Sequence, residues 1–171
     1  MAERNEIKDA FYEGLNAFRK GNYGKSICDL SKALLLDPNH ELAHLTRGVA
    51  YINTDRANLA IDDFTRAIET NHAYGRAYHL RGIAYATLGD LEKAERDFDK
   101  AIELKPEYGA AYLSRANLLS GMGQDEKADA DMEMVSRLTE KNVQSFAHTN
   151  NVWRSTHMRR EAEEITGEVE H

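Results

Sequence analysis

The chain has 171 residues, 42% of them hydrophobic and 30% charged, with a formal net charge of −7. That length suits one domain, and the acidic balance disfavours nucleic acid and anionic membrane surfaces as partners. Cys28 is the only cysteine, which excludes an intrachain disulfide and fits a reducing compartment; no stretch has the apolar length of a signal peptide or membrane span, so a cytoplasmic location without membrane insertion is expected.

Along the chain, apolar residues recur near the 3.6-residue helical period and never alternate as in a strand, which predicts an almost wholly α-helical protein. The same helix–turn–helix sentence is written several times at an offset of about 34 residues. A first unit over 7–40 carries Gly14, Ser26, Leu30, Ala33 and Pro38. A second over 41–74 carries His44, Gly48, Tyr51, Ala60, Phe64 and Ala67, with His72 where proline would stand. A third over 75–108 carries Tyr78, Gly82, Tyr85, Ala94, Phe98, Ala101 and Pro106. A fourth over 109–142 carries Tyr112, Ala116, Ala128 and Met132. Small residues Gly14, Gly48, Gly82 and Ala116 are expected where two helices approach closely. Gly21, Gly89 and Gly123 fall between the helices of their units, where a left-handed residue ends a helix, and Asp55 takes that place in the second unit at the expense of a small local strain. After residue 142 the pattern changes. Val143, Phe146, Ala147, Asn150, Trp153, Met158, Ala162 and Ile165 form a helical stripe without a following glycine turn, expected to be a capping helix over 143–171.

These residues and spacings resemble the tetratricopeptide repeat over roughly 7–142, the third unit most fully. The resemblance implies a right-handed α-solenoid of about four repeats in residues 1–142, followed by the C-terminal cap. It also implies that the first helices line a concave face that receives a peptide.

One polar pattern repeats as well. Asp29, Asp63, Asp97 and Asp131 share a position on the second helices, and Arg47, Arg81 and Arg115 share one on the first helices. Stacking of each second helix on the next first helix predicts the pairs Asp29–Arg47, Asp63–Arg81 and Asp97–Arg115, acting as a register device between neighbours.

His40-Glu41-Leu42-Ala43-His44 fits H-E-x-x-H, the zinc-hydrolase pattern. No third ligand follows in a fitting context, and the repeat register places His44 inward and His40 in a turn, so no metal site is expected. There is no P-loop, no dinucleotide fingerprint and no nucleophile constellation. The chain is read as a non-enzyme without cofactor.

The groove positions implied by the resemblance are Phe11, Tyr12, Leu15, Leu45, Thr46, Val49, Asn53, Arg76, His79, Leu80, Ile83 and Asn117. One subclass of the family clamps the C-terminal carboxylate of heat-shock chaperones with Lys, Asn and Arg. At the matching positions this chain has Phe11, Leu15, Thr46, Arg76 and Leu80, so that clamp is missing. The expected function is an adaptor or scaffold that binds an apolar or amphipathic segment of a partner. A holdase for an export or assembly substrate and a self-assembling scaffold stay open as alternatives, as does occupation of the groove by a terminal segment of the chain itself.

Overall fold

The computed structural model describes residues 2–145, with side chains from residue 5 onward. Every regular element among them is a helix: α1 (Ala2–Arg19), α2 (Tyr23–Leu36), α3 (Glu41–Ile52), α4 (Ala57–Thr70), α5 (Gly75–Thr87), α6 (Leu91–Leu104), α7 (Gly109–Gly121) and α8 (125–145). First helices α3, α5 and α7 begin where the 34-residue spacing puts them. None of the described helices is long and apolar enough to cross a membrane.

The turns inside each unit are built alike. Gly21, Gly89 and Gly123 adopt φ of 72°, 82° and 73°, and the residue after each returns its N–H to a carbonyl five positions back, as in Asn22 to Ala17 and Asp90 to Tyr85. This is the left-handed C-terminal lock of a helix. In the second unit Asp55 makes the same turn at φ 57°, the strained position expected from the sequence. Asn22 and Asp90 then start the second helices by accepting from the Lys25 and Lys93 N–H groups.

Within a unit the two helices meet where a glycine faces a large side chain. A Cβ on Gly48 would sit 2.5 Å from Phe64 Cε1, and one on Gly82 would sit 2.6 Å from Phe98 Cε1. Phe64, Phe98 and Leu30 are consequently fully buried, each anchoring one segment of a core that runs through the stack. Consecutive helices pack throughout, and the first helices also touch each other, α1 on α3, α3 on α5 and α5 on α7. The second helices α2, α4 and α6 make no such contacts with one another. The stack therefore closes on the first-helix side and splays on the second-helix side. At its far end Met132, the fourth unit's counterpart of Phe98, is 45% exposed. Residues 125–145 form one helix through the 142/143 boundary. The remainder of the expected cap, including Phe146 and Trp153, lies outside the described residues.

Candidate functional site: the first-helix groove and its polar rungs

The close approach of Gly48 to Phe64 also fixes the polar partners beside it. Arg47, next to Gly48, lies opposite Asp63, next to Phe64. Arg47 Nε donates to Asp63 Oδ2 at 2.9 Å and Nη2 to Oδ1 at 2.7 Å. Arg81 holds Asp97 and Arg115 holds Asp131 in the same forked manner. The pairs expected across units, Asp29–Arg47, Asp63–Arg81 and Asp97–Arg115, are therefore corrected: each arginine grips the aspartate of its own unit. The tie between neighbours is made by the third nitrogen. Nη1 of Arg47 reaches Ser31 at 2.9 Å, that of Arg81 reaches Thr65 at 3.2 Å, and that of Arg115 reaches Asp99. Burial works against the charge of Arg47, and the Asp63 carboxylate outweighs it, so the guanidinium binds its proton more tightly than usual. In the first unit Glu13 stands where the arginine would be, and Asp29 pairs instead with Lys32 at 2.9 Å and Lys25 at 3.1 Å, which lower its pKa.

The two histidines of the H-E-x-x-H pattern are engaged in the fold. His40 Nδ1 caps α3 by accepting from Ala43 N–H, and its ring stacks on Phe11 at 4.5 Å. His44 bonds Asp63 through Nδ1 and the Pro38 carbonyl through Nε2, both at 2.9 Å. Among the described residues no group of three His, Cys, Asp or Glu side chains is placed to hold a metal ion.

The twelve groove positions divide by burial. Phe11 and Leu45 are core residues, and Val49 and Leu80 pack half-buried against the core around Phe64. Leu15 does the same against Leu30. Thr46 and Asn53 bond back to their own helix, at the Leu42 and Val49 carbonyls. Tyr12, Arg76 and Asn117 are exposed. His79 is buried and joins two units, with Nδ1 3.0 Å from the Tyr108 hydroxyl and Nε2 2.8 Å from Ser114 Oγ. Burial, reinforced by the Arg76 charge, pushes its pKa down to about 4, so the ring is neutral at pH 7.

Around Ile83 the groove opens into a cleft of about 590 Å³ between α5 and α7. Its floor is apolar, with Ile83, Leu91, Phe98 and Leu118. Its rim is polar, with Thr87, Ser114 and Asn117. Of these, Leu91 and Phe98 could not be read as groove residues from first-helix positions, while Leu118 stands on the first helix α7 but was not among the groove positions. Leu91 and Phe98 come from the second helix α6 beneath, and the small residues Ala86 and Gly121 also line the cleft.

Residues 75–108 match the family model of the tetratricopeptide repeat. Among solved structures, the chain is similar to MamA, with 28% identity, 84% of each chain covered and a TM-score of 0.77. MamA 41-end from Desulfovibrio magneticus RS-1 matches in fold, at 24% identity over 81% of this chain and 78% of that one, with a TM-score of 0.75. The first TPR of Spaghetti (RPAP3), bound to the HSP90 peptide SRMEEVD, matches at 25% identity over 70% of this chain and 94% of its own, with a TM-score of 0.67. No curated protein matches the sequence. The chain has the tetratricopeptide-repeat architecture, an all-α repeat solenoid.

Proposed function

We propose that the chain is a non-catalytic interaction module that holds an apolar or amphipathic segment of another protein along its first helices. The observation carrying this reading is the α5–α7 cleft, whose volume and apolar floor with a polar rim suit one or two large apolar side chains of a helix or extended segment. Exposed Tyr12, Leu42 and Leu113 extend the same character along the first helices. The architecture is shared with a domain seen holding a peptide, but the chemistry differs. That peptide ends in Glu-Glu-Val-Asp, whereas the corresponding positions here, Phe11, Leu15, Thr46, Arg76 and Leu80, offer one cation.

Because Leu45, Val49 and Ile83 contribute to the core, the groove is better tested at its exposed rim. A Leu- and Phe-bearing helical peptide selected by display should lose at least about tenfold in affinity when Thr87 and Asn117 are both changed to Arg. The helical spectrum and melting temperature should stay unchanged, since both residues are exposed. Unchanged affinity in the folded double variant would remove the groove as the binding site.

A further inference from the structure

On the second-helix side, where α2 and α4 splay, a second cleft of about 850 Å³ opens over the Arg47 rung. Ser31, His44, Arg47, Arg66 and Glu69 stand in its polar wall, and Leu34, Leu35 and Pro38 in its apolar wall. Leu35 is 82% exposed at the edge of this cleft.

The three rungs can be compared inside one molecule. In each, the arginine's Nε and Nη2 are engaged by its own aspartate, and Nη1 points at the same position on the preceding second helix. That position is Ser31, Thr65 and then Asp99. At the third rung one guanidinium thus carries two carboxylates, Asp131 on its inner edge and Asp99 on its outer edge. At the first rung the outer place holds a neutral hydroxyl. Ser31 accepts from Arg47 at 2.9 Å and donates to the Ile27 carbonyl at 2.6 Å. The fourth helix adds Arg66, a 69% exposed cation tied to Glu69 at 2.9 Å by a surface pair of small worth.

We infer that this cleft docks an aspartate or glutamate side chain of a partner protein. Its carboxylate lies beside the Ser31 hydroxyl, against the second N–H of Arg47 Nη1 and Arg66, supplying the outer negative charge that Asp99 supplies at the third rung, and a neighbouring apolar residue packs on Leu35 and Pro38. The charges fix the class. Arg47 and Arg66 are balanced by Asp63 and Glu69, so a single carboxylate reproduces the net −1 that Arg115, Asp131 and Asp99 already sustain. A dianionic phosphate would exceed it, and the chain's net charge of −7 selects against a polyacidic tract. The site is one acid set among apolar residues, and it is independent of the α5–α7 groove.

The probe is the blocked tripeptide acetyl-Leu-Glu-Leu-amide, titrated to about 10 mM at low salt while amide shifts of the full chain are followed by NMR. Shifts should centre on residues 31–39, 47 and 66, and the Gln analogue of the peptide should produce at least about threefold weaker binding. Ser31→Asp builds the carboxylate in, as Asp99 does, and should weaken the peptide about tenfold, while Ser31→Ala leaves it within about threefold. Leu35→Glu, at a position too exposed to disturb folding, should also weaken it about tenfold. The inference is overturned if the Gln peptide binds equally or if neither acidic variant weakens binding. It is also overturned if inorganic phosphate binds more tightly than the peptide, or if the shifts fall in the α5–α7 groove. Ultracentrifugation that shows dimers broken by the peptide would assign the cleft to a second copy, against the inference.

Discussion

Arg81 holds Asp97 of its own unit by two parallel bonds, Nε to Oδ2 at 2.8 Å and Nη2 to Oδ1 at 2.9 Å, while its Nη1 reaches Thr65 of the preceding unit at 3.2 Å. One side chain thus closes a helix hairpin and keys it to its neighbour. The Asp97 carboxylate raises the pKa of the guanidinium despite its burial, so Arg81 holds its proton more tightly than an ordinary arginine. Asp97→Asn should cost about 3 kcal/mol in urea unfolding, because the half-buried cation loses its counter-charge. Arg81→Met combined with Asp97→Leu should cost clearly less than the two single changes added. A second cycle between Arg81 and Asp63 should show coupling below about 0.5 kcal/mol. Strong coupling in that second cycle would restore the cross-unit pairing.

The turn at Asp55 offers a clean stabilisation. Its φ of 57° is the conformation that Gly21, Gly89 and Gly123 adopt without a Cβ. Asp55→Gly should raise stability by about 0.5–1 kcal/mol, and Gly89→Ala, where nothing lies within 4 Å and only backbone strain is added, should lower it by about 1–2 kcal/mol. Thermal melts of the two variants shifting in the same direction would contradict this account.

How much of this was legible in the sequence follows from what each signal measures. Turn glycines and close-approach glycines are set by local backbone geometry and by the repeat, so their positions could be counted out in advance. Asp63 and the arginines were equally visible as a set, but either neighbouring arginine lies within reach of Asp63 in a two-layer stack. Only the Gly48–Phe64 contact decides between them, by placing Arg47 opposite Asp63. The groove list suffered from the same cause. Helical position says which way Leu45 and Phe11 point, not that the adjacent unit has already covered them. His79 stands among the groove positions, but Tyr108 at the end of its own unit and Ser114 of the next take both its nitrogens.

Gly82 connects packing to the proposed groove. An added Cβ would lie 2.6 Å and 2.8 Å from two atoms of the Phe98 ring and 3.2 Å from the Ala94 carbonyl. The ring is fully buried and forms part of the cleft floor. Gly82→Ala should therefore cost about 1–3 kcal/mol and weaken a groove-bound peptide as well, because the displaced ring narrows the cleft. Gly24→Ala, in open space inside α2, should instead gain about 0.5–1 kcal/mol from helix propensity and leave binding alone. Calorimetry with peptide titration on both variants separates the two effects, and equal costs at the two sites would show that the glycine–phenylalanine contact does not set the helix spacing.

Neutral His79 gives the stack a defined acid sensitivity. Its pKa is about 4 in the folded chain, against about 6.5 for an ordinary histidine, because burial and the Arg76 charge oppose protonation. A depressed folded value means that the unfolded chain binds the proton first as the solution is acidified. The contribution to stability is therefore complete above about pH 6.5, declines as pH falls, and is gone below about pH 4. Between pH 7 and pH 5 the loss amounts to about 2 kcal/mol. Since Nε2 also holds Ser114 on the rim of the α5–α7 cleft, binding in the groove should weaken only near pH 4, where the folded ring itself takes up a proton. Carboxylates elsewhere titrate too, so the measurement is a difference. Urea unfolding at pH 7 and pH 5 should show the native chain losing about 2 kcal/mol more than His79→Gln, which keeps a polar group in place without the titration. Parallel losses in the two proteins would mean that the ring between Tyr108 and Ser114 takes up its proton as easily folded as unfolded.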